Sequence, residues 1–314
     1  MSFIEVKNIT KRFNDNLALD NVSFTIEQGE VFGLLGPNGA GKSTLINILC
    51  GLLKSSSGDI LIQGNSVNKN PIKTKEFIGY VPQEIALHEK LTPMDNLKYW
   101  GQMYGLKGNL LKERIEEALE LTGLKERSKE KVKNFSGGMK RRLNIACAIM
   151  HHPKLLIMDE PTVGIDPQSR NHILEFTKKM NENHGTTIIY TSHYMEEVEQ
   201  ICNKIAIVDL GKVIAKGTKK EIKRLISNET TINLTLEEIK EDIIFNLKEL
   251  KGVKDCMYNT EERTLSIVAL EDEYSIEKIM SELVKSKVGI KSMSVVEPNL
   301  ETVFLSLTGK KLRD

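Results

Sequence analysis

The stretch Gly36-Pro37-Asn38-Gly39-Ala40-Gly41-Lys42-Ser43-Thr44 constrains this chain more than any other. It fits G-x-x-x-x-G-K-[ST] and lies between an apolar run at 31–35 and a segment of helical character at 42–53. Buried strand, glycine-rich turn and helix, in that order, make a phosphate cradle. The glycines let the backbone curl until several N–H groups converge on an anion. The start of the helix adds partial positive charge aimed at the same point. Gly36, Asn38, Gly39, Ala40, Gly41 and Thr44 belong to the wrap. Lys42 reaches the β- and γ-phosphates of a nucleotide, and the Ser43 hydroxyl suits Mg²⁺.

The same alternation continues for two thirds of the chain. Strands are expected at 3–6, 21–27, 59–63, 77–81, 155–158 and 186–190, with helices from 136 and after Pro167 and a helix-rich stretch over 93–133. Repeated strand, crossover helix and strand imply a mostly parallel α/β core. Short strands at 204–208 and 212–215 turn at Gly211, and a helix at 219–226 closes the unit.

Charge narrows the partners. Lys+Arg 44 against Asp+Glu 43 leaves a formal charge of +1, which gives no footprint for nucleic acid. The cluster Lys219, Lys220, Lys223 and Arg224 reads as a solvated helix face. No apolar stretch approaches a membrane span of about 18 residues, and the N-terminus goes straight into a strand pattern, unlike a secretory signal. Cys50, Cys147, Cys202 and Cys256 lack CxxC spacing and read as buried thiols of a reducing compartment. The expectation is a cytoplasmic chain.

A second signature, Phe135-Ser136-Gly137-Gly138-Met139, precedes an amphipathic helix. Ser136 is a good N-cap, and a capped helix with two glycines at its mouth is again an anion site. One nucleotide needs only one cradle, so the second requires an explanation. Leu155-Leu156-Ile157-Met158-Asp159-Glu160 is a buried strand delivering carboxylates at its C-terminal edge, where open α/β sheets bind ligands. Asp159 suits Mg²⁺ through water.

Ser136-Gly137-Gly138 ahead of Leu155-Leu156-Ile157-Met158-Asp159-Glu160-Pro161 resembles the ABC ATPase family, over about residues 1–220. The resemblance implies a P-loop NTPase core, a cassette with a helical subdomain. It implies two subunits sandwiching two ATP molecules, with Ser136, Gly137 and Gly138 of one facing the cradle of the other. Glu160 then corresponds to the carboxylate that polarises the attacking water. Gln83, in Tyr80-Val81-Pro82-Gln83, corresponds to the glutamine of the Mg²⁺ shell that senses the transport partner. His193, in Thr191-Ser192-His193, corresponds to the γ-phosphate histidine, and Asp166, in Val163-Gly164-Ile165-Asp166, to the loop linking the two sites.

Phe13, in Lys11-Arg12-Phe13, stands where the family stacks an aromatic, often Tyr, on adenine. The chain departs from the common pattern at Phe135 and Met139, usually Leu and Gln, and at Gly164-Ile165, usually Ala-Leu. By the residues alone Gln83 is also readable as a solvated loop amide and Phe13 as a core or edge-strand aromatic. His151-His152 abuts Pro153 and reads as a strand entry sooner than a metal site.

From about residue 228 the pattern changes to strand 231–236, helix 237–250, strands 253–258 and 264–269, helix 275–287, strand 289–296 and helix 300–307. That is the split βαβ order of ferredoxin-like modules. The expected division is a nucleotide-binding domain, 1–227, and a small α+β domain, 228–314. The ending, from Pro298 through Phe304 to Gly309, resembles the tail of ABC-2-type export ATPases, the drug, antibiotic and lipid-efflux branch. This resemblance implies an ATP-hydrolysing homodimer on the cytoplasmic face of the membrane, held there by separate integral membrane permease subunits. The tail shows no catalytic cluster and reads as a dimerisation or docking module. The alternative is a soluble ABC ATPase not coupled to transport, though such proteins usually carry two cassettes, coiled coils or zinc insertions.

Overall fold

A computed structural model of the chain describes residues 2–225, 229–237, 241–260, 262–270, 272–286, 288–296 and 299–309. β1 (Ser2–Phe13) and β2 (Asn16–Glu27) form a long antiparallel hairpin. Asn14, at φ +49, takes the left-handed conformation its two-residue turn requires. β3 (Val31–Leu35) leads through the glycine turn into α1 (Lys42–Leu49). β4 (Ser57–Ile62) and β5 (Asn65–Ser66) complete an antiparallel sheet in the order β2-β1-β4-β5. After α2 (Pro71–Lys75) and β6 (Ile78–Val81) come α3 (Pro93–Met103) and α4 (Gly108–Leu121), both packed on α5 (Gly137–Ile149). There follow β7 (Leu155–Met158), α6 (Pro167–His184), β8 (Thr187–Tyr190), α7 (Met195–Ile201), β9 (Lys204–Asp209) and β10 (Lys212–Thr218).

The second sheet runs β10-β9-β3-β8-β7-β6, parallel throughout except at the β10 edge. Every residue of β3, β7 and β8 is buried, as expected of central parallel strands covered on both faces. Ile4, Val6, Ile9 and Ile60 from the first sheet share one core with Phe32, Leu34, Leu155 and Ile189 from the second. Strands β3, β8 and β7 are adjacent and parallel, so their C-terminal ends lie side by side on one edge of the sheet.

Some local expectations are corrected. The first helix ends at Leu49, short of 53, because Gly51 turns left-handed (φ +63) and stops it. The 93–133 stretch resolves into α3, α4 and two single 3₁₀ turns; Thr92 caps α3 by accepting from the Asp95 N–H at 3.2 Å. β5, α2 and α7 are too short to show a period and were not foreseen.

The chain divides into two compact units, one holding residues up to Lys219 and from Leu307, the other Lys220–Ser306. The boundary expected at 227/228 lies outside the described residues, as do 226, 238–240, 287 and Pro298. α8 (Lys219–Arg224) is followed by β11 (Glu229–Leu236), α9 (Glu241–Lys248), β12 (Val253–Asn259), β13 (Thr264–Leu270), α10 (Ile276–Lys285), β14 (Ile290–Val296) and α11 (Leu300–Thr308). The sheet order β12-β13-β11-β14, all antiparallel, places the first and fourth strands of the module side by side, the split βαβ arrangement. Ile232, Leu234, Leu265 and Ile267 pack against Ile243 and Leu247 of α9 and Ile279 and Leu283 of α10.

Candidate functional site

The turn between β3 and α1 is shaped by close backbone approaches. A Cβ on Gly36 would meet the Val208 carbonyl oxygen at 2.2 Å. Gly41, at φ +105, would meet that of Ala18 at 2.6 Å. Lys42 is buried, and its Nζ donates to the carbonyl oxygens of Gly36 (2.6 Å) and Pro37 (3.0 Å). Burial pushes its pKa down, opposed by the carboxylates of Glu160 and Asp159.

Those carboxylates follow β7 directly. Thr191, at the end of β8, joins them: its hydroxyl donates to Asp159 Oδ1 and accepts the Glu160 N–H, each at 2.8 Å. The accepted bond anchors Glu160 at φ +46, a left-handed backbone that costs a non-glycine residue about 1 kcal/mol or more. Burial raises the pKa of Asp159, opposed by the bond from Thr191. Glu160 Oε1 lies 2.5 Å from His193 Nε2, and its Oε2 accepts from Gln83 Nε2 at 2.9 Å. Arg141 on α5 holds the Gln83 turn in place, donating to the carbonyl oxygens of Pro82 (2.6 Å) and Gln83.

One cleft of about 610 Å³ gathers Asn38 to Thr44, Gln83, Glu160 and His193 with Phe13. Phe13 ends β1 and is 44% exposed, with Lys11 Nζ 4.9 Å from its ring centroid, so it is not a core aromatic. Leu17, Ala18, Val163 and Gly211 also line the cleft. Leu17, Ala18 and Gly211 carry no signal of this in the sequence, because only the hairpin and the β9–β10 turn bring them there, while Val163 arrives on the loop between β7 and α6 that ends at Asp166. Thr191 and Arg141 carry no such signal either: the first is placed by the pairing of β8 with β7, the second by the packing of α5 beside the 82–83 turn.

Ser136, Gly137, Gly138 and Asp166 are not among the residues lining this cleft. Ser136 caps α5 by accepting from the Met139 N–H at 3.2 Å, and Asp166 caps α6 by accepting from the Ser169 N–H at 2.9 Å. Hydrogen bonds from Ser169 hold the Asp166 carboxyl below its usual range. A Cβ on Gly138 would lie 2.0 Å from Ser169 Oγ, whereas one on Gly137 meets only Ile165 Cδ1 at 4.0 Å. The two glycines therefore differ. Gly138→Ala is expected to lose about 1–3 kcal/mol by overpacking, while Gly137→Ala stays within about 0.5 kcal/mol. Denaturant midpoints of the two variants check this, and equal midpoints would contradict the packing described.

His151 serves packing. Its Nε2 lies 3.0 Å from the Ile78 carbonyl, its ring stacks on Tyr104 at 3.7 Å, and burial pushes its pKa down to about 4. His152 pairs with Glu117 at 2.7 Å. Among the described residues no group of three or more His, Cys, Asp or Glu could hold a metal, and no helix is long and apolar enough to cross a membrane.

A phosphate cradle at the head of a parallel strand, facing paired carboxylates, defines a nucleotide-hydrolysing P-loop fold. The family model described as ABC transporter matches residues 19–163, and that of the ATP-binding protein DrrA1-3-like C-terminal domain matches 217–308. The linearmycin resistance ATP-binding protein LnrL of Bacillus subtilis (strain 168) is 48% identical over 311 residues, 99% of this chain and 100% of that protein. The Nod factor export ATP-binding protein I of Cupriavidus metallidurans is 35% identical over 314 residues, 100% and 99% respectively. A solved dimeric ATP-binding cassette in a post-hydrolysis state, bound to ADP and Pi, is 28% identical with a TM-score of 0.63, covering 68% of this chain and 98% of its own. The chain belongs to the ABC transporter family as an ATP-binding subunit, and it is an ATPase.

Proposed function

We propose that this chain works as a nucleotide-dependent homodimer on the cytoplasmic face of the membrane. There it drives export of a drug- or antibiotic-like compound through separate integral membrane permease subunits. The observation that carries the dimer is the separation of the two anion-directed helix starts. The cradle, Glu160 and His193 share a cleft, and Ser136, Gly137 and Gly138 do not line it. A second copy supplies the missing half, Ser136 and Gly138 meeting the γ-phosphate beside Gly137, with Asp166 between the two sites.

In each half-site the cradle amides and Lys42 hold the phosphates, and Phe13 stacks on the adenine. Ser43, Gln83 and Asp159 form an all-oxygen donor set that fits Mg²⁺, with Asp159 acting through water. The bound ion would neutralise charge developing on the phosphates. Glu160 polarises the attacking water, and His193 and Gln83 set the orientation of its carboxylate.

Support for export comes from the LnrL and Nod factor export relatives, matched end to end, and from the DrrA-like C-terminal match. With no membrane-crossing helix among the described residues, the translocation path is assigned to another polypeptide. Residues 228–314 are read as the accessory module that docks the partner or pairs the subunits.

Identifying whether a membrane permease is encoded beside this chain, and co-expressing the two, tests the reading. The two are expected to co-purify in detergent, with ATP turnover rising in the complex by several-fold. A chain that leaves the membrane fraction quantitatively, with turnover unaffected by the permease, would overturn it.

A further inference from the structure

Glu197 lies in the first turn of α7, only 2% exposed, and is not among the residues lining the cleft. One of its oxygens, Oε2, accepts three hydroxyl hydrogen bonds: from Thr162 at 2.8 Å, Tyr190 at 2.8 Å and Ser192 at 2.7 Å. The other, Oε1, stands 3.5 Å from Arg170 Nε, and neither of those atoms finds a hydrogen bond among the described residues. Burying a carboxylate is costly unless charge and donors compensate. A residue there solely to fill space has no need of either.

The three donors are not a random set. Thr162 stands two residues after Glu160, Ser192 directly precedes His193, and Tyr190 ends β8. Both segments that meet in the Glu160–His193 contact are therefore tied to a single oxygen atom. Ser192 Oγ also accepts from the Tyr194 N–H at 2.9 Å. Arg170 lies over the Tyr194 ring at 4.1 Å and belongs to α6, the helix capped by Asp166.

We propose that Glu197 is a positioning residue for ATP hydrolysis, fixing the Glu160 loop and His193 in mutual register through the hydroxyls of Thr162, Ser192 and Tyr190. The proposal rests on the reading of Glu160 as the group that polarises water. A reacting geometry displaced by about 1 Å can lower turnover on the order of 10²-fold without touching substrate contacts.

Glu197→Gln conserves volume, but only one amide atom accepts and the other donates. It cannot satisfy three hydroxyls and face Arg170 as well. The expected result is kcat reduced roughly 10–100-fold, with KM and nucleotide affinity within about twofold. Tm should move by less than about 4 °C. Unchanged kcat overturns the proposal, and so does a fall in nucleotide affinity that accounts for the whole loss. Glu160→Gln runs alongside as the control. If it turns over normally, the reading of the site has failed; if it is inactive while Glu197→Gln is normal, only the Glu197 proposal has. Should Glu197→Gln not fold, the paired substitutions Thr162→Val and Ser192→Ala decide, with the same kcat-against-KM split expected and unchanged kcat overturning.

Discussion

Glu160→Gln leaves ATP binding intact and slows hydrolysis roughly 10²–10⁴-fold, the share usually contributed by a positioned general base. The amide matches the carboxylate in shape, and the backbone bond from the Glu160 N–H to Thr191 is untouched. What is lost is an oxygen able to take a proton from water, together with one acceptor between Gln83 and His193. Phosphate binding through Lys42 and the cradle amides is unaffected, so nucleotide enters but is not turned over. The proposed dimer then accumulates in its ATP-bound form and elutes early in size exclusion with Mg-ATP. A variant of normal turnover would remove Glu160 from the mechanism.

Lys42→Ala and Ser136→Ala are each expected to lose roughly 10–150-fold in activity as pure preparations, equivalent to a hydrogen bond with a charged group of about 1.5–3 kcal/mol. The informative experiment is the mixture. One chain retains Ser136 and the other Lys42, so every mixed dimer contains one site with both good halves. Random pairing at equal amounts makes half the dimers mixed, each with one of two sites intact, and restores about a quarter of the parent rate for a symmetric pair. A mixture as inactive as its components would show that each chain completes its own site.

The cradle was legible because strand, glycines and lysine are contiguous, and each is dictated by local chemistry. The C-terminal module was legible for a related reason: the alternation in β11 and β13 is clean, and the sheet order follows from the element order. Gln83, Glu160 and His193 lie far apart along the chain, and family resemblance alone suggested that they act together. Sheet order then places them at the ends of β6, β7 and β8, side by side. Thr191 had no such signal, since a threonine at a strand end is ordinary. Only the pairing of β7 with β8 puts its hydroxyl between Asp159 and Glu160. Gly138 was read for its ligand-facing backbone, and its steric duty toward Ser169 appears only once α5 and α6 are packed.

That close fit at Gly138 has a consequence for both caps. With no side chain between them, the mouth of α5 abuts the first turn of α6, so the caps at Ser136 and Asp166 sit on two helix starts in direct contact. Arg141 rides the same helix and grips the carbonyl oxygens of Pro82 and Gln83. The 82–83 turn is thus joined to both caps by a continuous set of contacts that runs along α5 and on to α6.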